Sequence, residues 1–149
     1  MRILRSFLRL SRGQRRALLR ATGLVSIVRV ALRVLPFERL RRMLSRFAHA
    51  PPDVSPATQP EIDTIVWSLS AAGRTLPDAG RCLIEALAGH VLLARRGVPT
   101  DLRIGVARDP DGTFKAHAWL ERGDRVVVGQ LGAELQRYTP FPAMRGLEP

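Results

Sequence analysis

At Gly97 the chain changes period. Before it, apolar residues recur at helical spacing; after it, they alternate. Residues 61–73 turn Ile62, Ile65, Val66 and Leu69 to one side. Pro77-Asp78 opens a further helix, with Asp78 as its N-cap, that runs to about Arg96 and stops at Gly97. Beyond lie three strand-like runs, 101–108, 113–122 and 125–130, separated by the turn sequences "DPDG" and "RGDR". Helices followed by an antiparallel meander predict an α+β domain.

Upstream the pattern is helical and basic. Residues 2–10 place Ile3, Leu4, Phe7 and Leu8 at helical spacing, residues 14–35 run from a break at Gly13 to Pro36, and residues 37–48 align Phe37, Leu40, Leu44 and Phe47. Residues 1–50 hold thirteen arginines and one acid, Glu38, whereas residues 51–149 hold eleven basic and twelve acidic residues. The whole excess of +11 therefore sits in the arm. Between the two parts, "APPDVSPATQP" (50–60) carries four prolines and reads as a linker. The expected division is a basic helical arm (1–50), a Pro-rich linker (51–60) and a catalytic domain (61–149).

The arm's arginines form either a solvated face or a contact surface for an acidic partner or an anionic membrane, the latter a weak surface association. Its longest apolar stretch, "LVSIVRVALRVL" (24–35), is too short to span a bilayer and is interrupted by Arg29 and Arg33. Nucleic-acid binding is disfavoured: aromatics are only 5% of the chain, no DNA-reading motif is visible, and the arginines alternate with core-type apolar residues. One lysine against twenty-three arginines fits a GC-rich bacterial genome, and the single cysteine, Cys82, fits a reducing cytoplasm. One cysteine and three scattered histidines (His49, His90, His117) offer no metal-ligand spacing, so no metal is expected.

Two residues carry chemistry. Cys82, in "RCLIEALAGHVLL", stands in the first turns of its helix, where the helix dipole and unpaired backbone N–H groups favour thiolate. The other reading is a small core residue on the stripe with Ala86, Gly89 and Leu93. His117, in "FKAHAWLE", falls with Lys115, Trp119 and Glu121 on one strand face, while Phe114, Ala116, Ala118 and Leu120 form the other, apolar face. The apolar face is complete without the imidazole. A thiol and an imidazole that takes its proton are the minimal cysteine nucleophile pair.

"RCLIEALAGHVLLARRGVPTDLRIGV" followed by "FKAHAWLE" resembles the transglutaminase-like cysteine proteases that process lasso-peptide precursors, more narrowly the stand-alone leader peptidases of bacterial clusters. The likeness extends to the arm, through "FLRLSRGQRRALLRA" and "ALRVLPFERLRRMLSR". It implies a papain-like core, with the cysteine at a helix N-terminus packed on a small antiparallel sheet. It implies Cys82 as nucleophile and His117 as general base, with Trp119 shaping the substrate site. That family usually adds an aspartate about a dozen residues after the histidine. Here "VVVGQLG" (126–132) holds no carboxylate. Gln130 is the expected third member, with Glu121 or Asp124 as alternatives. The resemblance further implies removal of a leader from a ribosomally made precursor peptide. A separate leader-recognition protein and an ATP-dependent lactam-forming cyclase act as partners, and the chemistry needs no cofactor. The alternatives are an acyltransferase on the same fold and a non-enzymatic nucleic-acid or membrane binder using the arm.

Overall fold

The computed structural model describes residues 10–77 and 79–141. The helix expected at 2–10 and the cap expected at Asp78 lie outside these residues, the former but for Leu10. Helix α1 spans Arg12–Val34. It does not break at Gly13. Ser11 accepts from the N–H of Gln14 and Gln14 returns a bond to the N–H of Ser11, a capping box that starts the helix two residues early. Leu35, before Pro36, is extended and ends it. Helix α2 spans Phe37–Phe47.

Helix α3 spans Gln59–Gly73, so the last two residues of the expected linker are helical. Thr58 and Glu61 form a second capping box. The remaining linker is packed down. Ala57 is buried, and its N–H donates to the carbonyl of Arg96 at the far end of α4 (Arg81–Ala94). Helix α4 is preceded by Gly80 in the left-handed conformation, φ 79°.

The strands are β1 (Asp101–Arg108), β2 (Phe114–Arg122), β3 (Arg125–Val128) and β4 (Thr139–Pro140), in the antiparallel order β3-β2-β1-β4. A 3₁₀ turn, Gly132–Arg137, leads into β4. β1 and β2 pair from Asp101 opposite Glu121 to Arg108 opposite Phe114. Helix α4 lies on the face of Ala118 and Leu120, and Gly89 lets it come close: a Cβ there would meet Leu69, Leu120 and Val128 at 3.0–3.3 Å. Ala21, Val25 and Val28 of α1 and Leu40 and Leu44 of α2 belong to the same buried cluster. The arm helices thus complete the core of the remaining chain and do not stand apart from it.

The strand faces differ from the alternating expectation at both ends. Phe114 is 72% exposed, and the Arg108 guanidinium lies 5.6 Å above its ring. On the opposite face Trp119 is only 4% exposed. Its indole lies against Gly105, where a Cβ would approach it to 3.0 Å, and its Cβ and Cα lie as close to Gly129. The sheet therefore packs on both sides.

His90 on α4 is 5% exposed, with Nδ1 3.0 Å from Thr100 Oγ1. Burial drives its pKa below the ordinary 6.5, against the opposite pull of Thr100 and Asp101. The unfolded chain therefore takes up this proton first, and stability falls as pH drops below about 6.5, by at most about 1.4 kcal/mol per pH unit. His117, whose pKa is raised, contributes with the opposite sign, its stabilisation lost as pH rises. Thermal melts of wild type and His90→Gln across this range isolate the first effect: the variant should lose less stability on acidification than the wild type does.

Candidate active site

The site forms where β3 stops. β3 pairs with β2 as far as Val128 opposite Leu120, after a bulge between Leu120 and Glu121. Gly129 then leaves the ladder with φ 81°. Ala118 and His117 consequently lie on an open edge of β2, and the first turn of α4 fills the gap. The first helical bond there runs from Ile84 N–H to Gly80 C=O, leaving the N–H groups of Cys82 and Leu83 without an intrahelical acceptor.

Cys82 is partly exposed. Burial pushes its thiol up, but four influences together hold it below the ordinary 9.0. These are the bond to His117, the N–H of Ala118, the charge of His117 and the N–H of Leu83. The partner moves the other way. His117 is raised above 6.5 first by its bond to Cys82; burial opposes, and the Gly129 carbonyl, the Cys82 charge and Glu85 add to the rise. The two shifts run in opposite directions, each favouring transfer of the thiol proton to the imidazole.

His117 Nε2 lies 2.8 Å from the carbonyl oxygen of Gly129. A carbonyl only accepts, so Nε2 carries the proton and Nδ1 is the nitrogen presented to the thiol. The ring stacks on Trp119 at 6.0 Å and 14°, with Tyr138 at 5.5 Å and 49° on it as well. Trp119 donates its indole N–H to Glu121 at 2.7 Å, and Glu121 accepts from Arg103 at 3.0 Å. The buried indole thus braces the imidazole from within and offers little surface to a substrate.

Of the residues singled out in the sequence, Cys82, His117 and Trp119 come together. Glu121 reaches Trp119 and Arg103. Gln130 donates to the carbonyl of Val126, and Asp124 is exposed in the turn between β2 and β3. The atom on the orienting nitrogen is the backbone oxygen of Gly129, twelve residues after His117. A side chain does not fit at that position: a Cβ would meet the Ala118 carbonyl at 2.8 Å. A glycine inside a strand run is the signal that marks such a close approach. Tyr138 and Glu85 were also missed. Glu85 is the single acid in the apolar sequence of α4, three residues after the cysteine, and that isolation was its signal.

Among the described residues, no three His, Cys, Asp or Glu side chains gather as a metal site, and no helix is long and apolar enough to cross a membrane. Comparison with curated proteins and with solved structures gave no match. Residues 24–143 match the family described as Transglutaminase-like superfamily, a stretch that begins inside α1 and contains both Cys82 and His117. The α+β core, with its cysteine at a helix start against a small antiparallel sheet, is that family's fold, and the associated chemistry is cysteine-dependent cleavage or transfer of acyl groups. On this match the chain belongs to the transglutaminase-like superfamily.

Proposed function

We propose that this protein is a cysteine endopeptidase that removes the leader from a lasso-peptide precursor in the bacterial cytoplasm. The observation that carries the chemistry is the coupled Cys82–His117 pair at the start of α4. The Cys82 thiolate attacks the scissile carbonyl, and the developing oxyanion is met by the N–H of Cys82 at the helix N-terminus. The imidazolium gives its proton to the departing amine. Water, deprotonated by His117, then cleaves the thioester and returns the thiol. The narrower assignment to leader removal rests on the motifs "RCLIEALAGHVLLARRGVP" and "HAWLE". An acyltransferase would share every step but the last, with an amine in place of water. Mass analysis of the products separates the two.

Cys82→Ala and His117→Ala should each abolish cleavage of the precursor without unfolding the chain, and their combination should cost no more than either alone. Gly129→Ala should lower kcat, because it strains the backbone by about 1–3 kcal/mol and displaces the oxygen that holds His117. Gln130→Ala and Asp124→Asn should stay within about twofold of wild type, the scale of a surface substitution. Cleavage by Cys82→Ala, or a Gln130→Ala defect larger than that of Gly129→Ala, contradicts this reading.

The same proposal includes a partner that holds the leader, alongside the ATP-dependent cyclase that consumes the released core peptide. The first helices offer it a surface. A groove of about 1190 Å³ runs among α1, α2, α3 and α4, lined on α4 by Val91 and Leu92 toward the opposite end of that helix from Cys82. Leu19, Ile27, Met43 and Phe47 line it and are exposed, and Arg16, Arg20 and Arg95 stand around it. An apolar segment flanked by acids on the leader-holding protein matches both properties. Tethering the leader in this way raises the effective concentration of the scissile bond, by about 10²-fold or more. Leu19→Asp with Ile27→Asp, both on exposed positions, should therefore remove the partner's stimulation of cleavage while the melting transition persists. Deletion of the arm is not a fair test, since α1 and α2 supply part of the core. Full-rate cleavage by the isolated chain, or stimulation that survives the double substitution, contradicts the docking surface.

A further inference from the structure

Glu85 lies one turn along α4 from Cys82, and at a spacing of three residues the two side chains leave the same side of the helix. Its carboxylate turns back over the end of α3. There it occupies the space that a side chain at Gly73 would need, so that a Cβ built on Gly73 would collide with Glu85 Oε1. Its side chain is only 16% exposed, with Arg81 Nε at 3.8 Å. The charged groups that face it are Arg81 on its own helix, Arg74 just beyond α3, and His117 on β2. A carboxylate seated in a notch cut from the neighbouring helix is not part of a solvated helix face. Seating it there also opposes its charge: burial lifts its pKa, and Arg81, Arg74 and His117 pull it back.

His117 shows the need this residue meets. The ring meets Cys82 of α4, Trp119 on its own strand, Tyr138 from the segment before β4, and the Gly129 carbonyl, while Glu85, one turn along from Cys82 on the same side of α4, adds its charge as the last of the influences on the ring. The carbonyl fixes the tautomer and the ring plane, but it bears no net charge to balance an imidazolium. No carboxylate from the end of β3 reaches the ring. We propose that Glu85 supplies this balancing charge from the nucleophile's own helix, dividing between a side chain and a backbone oxygen the two tasks that an aspartate performs in a conventional triad. The inference rests on reading Cys82 and His117 as the reacting pair. Glu85 acts through His117 and touches no reacting atom, which makes it a positioning residue. Its negative charge favours the imidazolium formed when the thiol ionises, and so extends the working pH range on the alkaline side.

The test is a proton NMR titration of the His117 ring in the intact protein, which needs no substrate. In Glu85→Gln, which keeps the size of the side chain, the His117 midpoint should fall by roughly half a unit to one unit, at or below the lower end of the effect of a contacting opposite charge. The alkaline limb of kcat/KM should move down with it at unchanged KM, and Glu85→Asp should recover part of the shift. A purely structural ion pair with Arg81 would leave the His117 titration where it was, and that result in a folded Glu85→Gln protein overturns the proposal. Should Glu85→Gln not fold, reciprocity gives the same answer from the other side. Carbon-13 titration of the Glu85 carboxyl should show its midpoint raised in His117→Ala relative to wild type, by the same free energy. An unmoved Glu85 midpoint overturns the proposal equally. Failure of the peptidase assignment would appear separately, as cleavage retained in Cys82→Ala, with the titrations unaffected.

Discussion

The active arrangement depends on β3 ending early. Had the ladder continued beyond Val128, β2 would be paired on both sides at His117 and Ala118, and no edge would remain for α4 to approach. Gly129 ends it, with a positive φ and no room for a Cβ. One backbone turn therefore has three consequences. It frees the Ala118 N–H for the Cys82 sulfur, delivers a carbonyl to His117 Nε2, and packs Gly129 against the Cα and Cβ of Trp119, whose ring stacks on the imidazole. The electrostatics follow from this geometry. A thiol and an imidazole brought together at a helix start, with backbone donors on the sulfur and an acceptor behind the ring, shift in opposite directions and share a proton.

Much of this was legible in the chain. The change from helical period to alternation located α3, α4 and the meander, because burial of one face imposes those periods. Cys82 and His117 were singled out for different reasons: Cys82 for its place in the first turns of a helix, His117 for lying on a strand face that the core does not need. The misses share a cause. Local hydrogen bonds overrode the punctuation at Gly13 and at Pro60, through the capping boxes at Ser11–Gln14 and Thr58–Glu61. Both follow the S/T-x-x-E/Q spacing and were open to a closer reading. The orienting group was sought among side chains, whereas the structure uses a main-chain oxygen. A backbone carbonyl has no signature in residue type, so only the glycine that positions it was there to be read.

The arm shows how charge and hydrophobicity separate in one helix. Its arginines suggested an appendage, yet Ala21, Val25 and Val28 are buried with Leu69 and Leu87 in a single cluster. Arg12, Arg16, Arg20 and Arg33 of the same helix are exposed to solvent. The same helix leaves Leu19 and Ile27 uncovered beside α2. The groove they line is apolar at its floor, with Arg16, Arg20 and Arg95 around it, and Cys82 is not among its lining residues.

The central claim is that Cys82 is ionised by its pairing with His117. The most direct measurement is the ultraviolet thiolate absorbance of Cys82 as a function of pH, in wild type and in His117→Ala. The chain has no other cysteine, so the signal belongs to one group. The account predicts ionisation below the ordinary thiol value of 9.0 in the wild type. Without the imidazole, half-burial is left opposed only by the N–H groups of Ala118 and Leu83, and the transition should move clearly upward. A wild-type thiol that titrates at or above its ordinary value, or one that His117→Ala does not shift, would contradict the account.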